Sequence, residues 1–172
     1  MSKLNILLAP DPGLKKPSRT VEHVDAAARR LMDDMLETMY AANGIGLAAP
    51  QVGVHKRIIV VDVTAPQEQA PRPYRMANPE IIWRSDDMVV GEEGCLSLPD
   101  QFGDVIRAEQ IRLRYLDHEN EIRELEAKGL LARCIQHEID HLNGVLFLEH
   151  LSFIKRDLMR RKIRKLVKQD EW

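Results

Sequence analysis

Cysteine is scarce in this chain: only Cys95 and Cys134 occur among 172 residues. So few thiols point away from a disulfide framework and toward either core packing or chemistry at each. Long apolar runs are missing too, and none comes near the roughly 18 residues a membrane-spanning helix needs. The short patch Leu4–Ala9 runs at once into Pro10, Asp11, Pro12 and Gly13. It has neither the basic start nor the small-residue cleavage site of a secretory leader. An excess of one charge is absent as well. The formal net charge of −2 gives no global attraction to nucleic acid or to a membrane surface. The expectation is a cytoplasmic protein with no membrane partner and no specific DNA partner. Neither repeats nor low-complexity tracts interrupt the chain. Hydrophobic residues at 44% and charged residues at 30% are the mix of a globular protein, and the length suits one domain over residues 1–172.

The apolar periodicity sketches the elements. Val24, Ala28, Leu31, Met35 and Met39 recur at helical spacing, predicting a helix over 18–43 with Ser18 or Thr20 as its cap and Asn43-Gly44 as its stop. "RIIVVDV" (57–63) is a β-branched run of strand length, and the prolines of "TAPQEQAPRPYR" (64–75) predict a loop. "IIWRSDDMVV" (81–90) reads as a hairpin about a polar turn. "IRLRYL" and "EIRELE" read as a second hairpin about "DHEN", with one wet face. Helices are expected over 128–142, stopped by Asn143-Gly144, and from about Ser152 to about Gln169. Strands in the middle with helices at the ends predict an α+β fold with antiparallel sheets.

The strongest chemical signal is "HEIDH", His137 to His141. Residues four apart share a helix face, so both imidazoles can meet one metal ion, while Glu138 is turned aside to work on a bound water. The bland alternative is a polar helix surface that happens to carry two histidines. Leu130, Cys134, His137 and His141 form one stripe, which turns the histidines inward, and buried imidazoles in tandem need partners. A catalytic site still requires a third ligand. The extended motif of one large metalloprotease class would place it at position 147, which holds Phe147. Glu149 and His150 stand at other spacings. Cys134 lies about 10 Å along the axis from His141 and reads as a small core residue. Cys95, in "EEGCLSLP" with Gly94 freeing the backbone and Pro99 ending the segment, stays open as the third donor. A thiolate with two imidazoles suits Fe(II), Zn, Ni or Co and is poor for Mg or Ca.

A third stretch, "GIGLAAPQVG" (44–53), opens as G-x-G-x-x-A, the pattern of a dinucleotide turn. Such a turn follows a strand and opens a helix. Here the glycines follow a predicted helix, and Pro50 stands where a new helix would begin.

Together, "GIGLAAPQ" (44–51), "EGCLS" (93–97) and "HEIDH" (137–141), in that order and at those separations, resemble the peptide deformylase family. The resemblance covers nearly the whole chain. It implies an α+β fold with the histidine helix packed among antiparallel sheets, in a bacterial cytoplasmic enzyme. The implied activity removes the N-formyl group from the initiator methionine of newly made polypeptides and releases formate. The implied cofactor is one divalent ion, Fe(II) in the cell, replaceable by Zn, Ni or Co. On this sequence the implied ligands are Cys95, His137 and His141, and Glu138 is the acid/base. Gln51 and the Leu96 N–H flank the substrate carbonyl, and Gly46 offers backbone hydrogen bonds to the peptide. Ile45, Leu130 and Cys134 are the candidates for the methionine slot, with ordinary core packing the competing reading of each. Glu93 and Arg107 are read as a supporting ion pair, and Asp140 as orienting a ligand. Many bacterial members carry an arginine shortly after "EGCLS"; the matching position holds Phe102, which predicts a weaker grip or a different preference beyond the first substrate residue.

Residues 151–172 hold eight basic against three acidic residues, a local +5 that leaves the rest of the chain near −7. A solvated helix face (153–169) explains this blandly. The resemblance supports a transient contact with ribosomal RNA instead. Three other readings compete with the whole: a metallopeptidase, which lacks its downstream ligand; a structural metal protein, which needs neither Glu138 nor Gln51; and a dinucleotide oxidoreductase.

Overall fold

Ile58, Ile59, Val60 and Val61 are all fully buried, with no polar alternation. Such a run suits a strand covered on both faces. The structure, a computed structural model, describes residues 2–64 and 70–170. Its elements follow in the order α1 (Ala26–Ala41), β1 (Gly46–Ala48), β2 (Ile58–Val61), β3 (Tyr74–Arg84), β4 (Met88–Cys95), β5 (Leu98–Ala108), β6 (Gln110–Leu116), β7 (Ile122–Lys128), α2 (Gly129–Leu142) and α3 (Phe153–Asp170). An antiparallel sheet has the strand order β1-β2-β3-β6-β7, and β4 and β5 form a separate two-stranded sheet.

Alternation along β2 sorts its side chains between two cores. Ile58 and Val60 join Met32, Met35 and Met39 of α1. Ile59 and Val61 join Ala132, Ile135 and Ile139 of α2. The large sheet is thus sandwiched between the two helices. Each fully buried side chain of this size contributes about 1.5–3 kcal/mol relative to exposure. A third core, with Leu98, Val105, Phe147, Leu151, Met159 and Ile163, fastens α3 against the β4–β5 hairpin. The chain is α+β as expected, and among the described residues no helix is long and apolar enough to cross a membrane.

Several local expectations are revised. The first helix begins at Ala26, where Asp25 accepts from the Ala28 N–H at 2.8 Å. Neither Ser18 nor Thr20 caps it: the Ser18 N–H donates to the Leu142 carbonyl, and Arg19 bridges to Lys56. Tertiary partners hold that stretch extended. At the other end the Asn43-Gly44 stop is present as expected, with Asn43 in the left-handed conformation at φ 57°. "IIWRSDDMVV" is not a hairpin, because β3 pairs with β6 whereas β4 pairs with β5. Its polar turn passes the chain from one sheet to the other. Pro99 does not end its segment but sits second in β5. The "DHEN" hairpin is present as β6–β7, its wet face carrying the pairs Arg112–Glu126 and Arg114–Glu124. Tyr74 and Arg75 belong to β3 rather than to the proline-rich loop, of which residues 65–69 lie outside the described residues.

Candidate metal centre and its cleft

Helix α2 runs through the middle of the molecule, and its burial turns the "HEIDH" face inward: His137, Glu138 and His141 are all buried. Opposite them, β4 and β5 are joined by the two-residue turn Leu96-Ser97. The pairing register shifts between Gly94 and Cys95. An irregularity of this kind re-aims a side chain. Here it presents Cys95 to the helix, with Cys95 Sγ 3.3 Å from His141 Nε2. One donor atom from each of Cys95, His137 and His141 lies within 4.8 Å of the others, a group able to hold a metal ion.

The donor set fits such an ion. His137 Nδ1–H donates to Glu93 Oε1 at 2.8 Å, which fixes the tautomer and leaves Nε2 for ligation. Burial disfavours the charged form of His137, yet hydrogen bonds to Cys95 and Glu93 outweigh it and hold the imidazole up at about 10. The same surroundings therefore welcome positive charge between thiol and ring. Burial pushes His141 well below its ordinary value, toward the neutral form that ligates. Cys134 stands outside the cluster: its thiol donates to the Ile45 carbonyl at 3.5 Å, and burial holds it protonated by pushing its pKa up.

Glu93 is the hub beneath the site. Its carboxylate accepts from Arg107 Nε and Nη2, both at 2.9 Å, from Arg133 Nη1 at 2.7 Å, and from His137. Its pKa stays well below the usual carboxylate range: burial opposes ionisation, but Arg107 and His137 prevail. The expected Glu93–Arg107 pair is present. Asp140 does not touch a ligand directly; it accepts from Arg107 Nη1 at 2.6 Å and pairs with His150 Nε2 at 2.8 Å. Arg133 escaped the sequence reading. It also donates to the carbonyls of Val89 and Val105, tying the hairpin to α2. Its place one helical turn before His137 is the signal that was available, since residues four apart share a neighbour.

Gln51 sits in a 3-10 turn after β1. Its Oε1 accepts from the Ala48 N–H at 2.9 Å, and its Nε2 donates to Ser97 Oγ at 3.1 Å and toward Cys95 Sγ at 3.5 Å. The side chain is thereby locked beside the cluster. Gly46 is required by closeness: a Cβ there would lie 2.5 Å from Glu138 Oε2 and 2.7 Å from Cys134 Sγ. Glu138 is buried, its Oε1 has no hydrogen-bond partner among the described residues, and burial lifts its pKa to about 7. These groups face one cleft of about 650 Å³, also lined by Ile45, Leu96, Phe102 and Leu130. Ile45 at 40% and Leu130 at 53% exposure form its open mouth rather than core.

An α+β scaffold that buries two imidazoles and a carboxylate of one helix against a hairpin thiol defines a metal-site enzyme class. The family model "Polypeptide deformylase" matches residues 3–157, and the chain belongs to that family. It is 52% identical over 168 residues to the peptide deformylase of Phenylobacterium zucineum, covering 98% of this chain and 99% of that relative. It is 53% identical over 169 residues to that of Alkalilimnicola ehrlichii, covering 98% and 93%. The crystal structure of peptide deformylase from Ehrlichia chaffeensis superposes with a TM-score of 0.93 at 45% identity, covering 99% of this chain and 100% of that one. The complex of the Ehrlichia chaffeensis enzyme with actinonin gives 0.90 at 48% identity, covering 96% and 98%.

Proposed function

We propose that residues 1–172 act as one catalytic unit that hydrolyses the N-formyl group of newly made formyl-methionyl polypeptides, releasing formate, in the bacterial cytoplasm. The observation that carries this reading is the buried Glu138, its Oε1 open, beside the Cys95–His137–His141 cluster and Gln51 in one cleft. A divalent ion held by Cys95, His137 and His141, Fe(II) in the cell with Zn, Ni or Co as substitutes, supplies Lewis acidity and a bound water of lowered pKa. Glu138 takes a proton from the water that attacks the formyl carbon. It later delivers that proton to the departing amine. Gln51 Nε2 and the Leu96 N–H donate to the carbonyl oxygen as it gains charge, each worth about 3–4 kcal/mol of barrier.

The peptide lies extended along β1, an edge strand of the large sheet, and takes backbone hydrogen bonds at Gly46. Ile45, Leu130 and Cys134 form the apolar slot for methionine. Helix α3 offers exposed Arg161, Arg164 and Lys165 for a transient contact with ribosomal RNA. The direct test is formate release from formyl-Met-Ala-Ser after anaerobic Fe(II) reconstitution, in the wild type and in Glu138→Ala. Turnover in the first and its loss in the second are expected. A silent wild type or an active variant overturns the reading.

A further inference from the structure

A second cavity, of about 360 Å³, lies between the β4–β5 hairpin and α3. Glu92, Asp100 and Phe102 line both this cavity and the catalytic cleft, so a single ridge joins the two. Phe102 is 62% exposed and stands opposite Gly94, where any Cβ would strike its ring. Two rungs further from the turn, Glu92 faces Asp104. Like charges directly opposite weaken an antiparallel pair, which makes that rung a poor choice for stability alone. The far wall is one stripe of α3, Lys155, Leu158, Met159 and Lys162, spaced as one helix face.

Gln101 also lines this cavity. It is only 7% exposed, and its Oε1 has no hydrogen-bond partner among the described residues. Buried acceptors are normally answered, so an open one in a cavity wall calls for a donor from a ligand. The groove is continuous with the cleft, holds an open acceptor, and is edged by an apolar stripe with charges of both signs. Those are the requirements of an extended peptide: an N–H for Gln101, aliphatic side chains for Leu158 and Met159, and no single charge to exclude most sequences.

We infer that this groove binds the residues of the substrate peptide that emerge from the catalytic cleft, guiding the chain over Phe102 and along α3. The inference rests on the deformylase reading above. From the Gly94–Phe102 rung to the Glu92–Asp104 rung is two strand residues, about 6.6 Å, a step that two extended peptide residues cover. The benefit is therefore confined to a short stretch beyond the tripeptide.

The test extends formyl-Met-Ala-Ser by single alanines to seven residues and measures kcat and KM for each with the metal-loaded enzyme. A rise in kcat/KM of roughly tenfold, the worth of one hydrogen bond and one apolar contact, is expected over about two to three added residues, through KM. Leu158→Trp, which fills the groove from an exposed position, erases the rise and leaves formyl-Met-Ala-Ser unaffected. Independently of turnover, a benzophenone amino acid at peptide position five is photo-crosslinked to Glu138→Gln protein and mapped by mass spectrometry. Attachment at Leu158 or Met159 is expected. A flat length series with intact tripeptide turnover, or crosslinks only outside the groove, overturns the groove and leaves the deformylase reading standing. No turnover of any peptide overturns that reading instead, while the crosslink map still decides the groove.

Discussion

Glu93→Gln is the sharpest perturbation of the framework beneath the metal cluster. The carboxylate side chain is 4% exposed and faces Arg107 and Arg133 at 6% and 12%. Removing its charge strands two buried guanidinium groups. Breaking a buried pair from one side costs about 3–5 kcal/mol. Asp140 still accepts from Arg107 at 2.6 Å and the new amide still accepts one bond, so the low end, about 3 kcal/mol, is expected. That is a large share of the roughly 5–15 kcal/mol that keeps a domain folded. It lowers Tm by roughly 6–12 °C for a chain of this size. The control is Glu126→Gln, whose pair with Arg112 is about half exposed and worth no more than about 1 kcal/mol. The variant also loses the charged partner of His137, which weakens metal binding by roughly 10–100-fold. Thermal unfolding of chelated protein and competition for Zn with a chromophoric chelator measure the two effects. A Tm loss no larger than that of Glu126→Gln, with an unchanged metal Kd, refutes the argument. The pH dependence follows from the depressed Glu93 pKa: the folded state binds fewer protons than the unfolded, so this stabilisation is complete above the unfolded pKa, roughly 4.3, and is lost as pH falls through the folded value. The Tm gap between wild type and Glu93→Gln therefore narrows only below about pH 4.3.

Gly46→Ala places a methyl where Glu138 Oε2 and Cys134 Sγ now lie, so kcat for formyl-Met-Ala-Ser falls by roughly 10²–10⁴. Stability drops by only about 1–3 kcal/mol; a variant with unchanged kcat contradicts the placement of Glu138. Phe102→Arg changes the ridge at the position where the family resemblance predicts arginine, and it raises kcat/KM on formyl-Met di- and tripeptides or shifts their order; identical values for every peptide remove Phe102 from recognition. Reversing Arg161, Arg164 and Lys165 to Glu is preferred to deleting 155–172, because Met159 and Ile163 of α3 are part of the third core. The triple variant keeps tripeptide turnover and loses salt-sensitive co-sedimentation with ribosomes; unchanged co-sedimentation excludes α3 as the anchor.

How far the site could be read along the chain depended on how local each relation was. His137 and His141 share a face because helical spacing makes them do so, whatever surrounds the helix. The β-branched run 57–63 announced a strand in the same way, though not its burial on both faces, and the charge of α3 needed no fold to be counted. Pairing was different. "IIWRSDDMVV" has strand character on both sides of a polar turn, yet β3 gains more by pairing with β6, some thirty residues away, than by folding back on β4. Likewise "SRTVEHVD" extends rather than coils because the Leu142 and His55 carbonyls accept from Ser18 and Arg19 and the Arg57 N–H donates to the Arg19 carbonyl.

The sequence by itself determined which chemistry is available: two imidazoles and a carboxylate on one helical turn, a thiol after glycine, and an amide after Pro50. Only the tertiary structure decided how these meet. The register shift at Gly94 aims Cys95, Glu93 fixes the His137 tautomer from the β4–β5 hairpin, and Gly46 lets Glu138 approach. The physical reason is the same in each case: helical spacing is set by neighbouring bonds, whereas a donor forty residues away is placed by whichever buried partners best satisfy it.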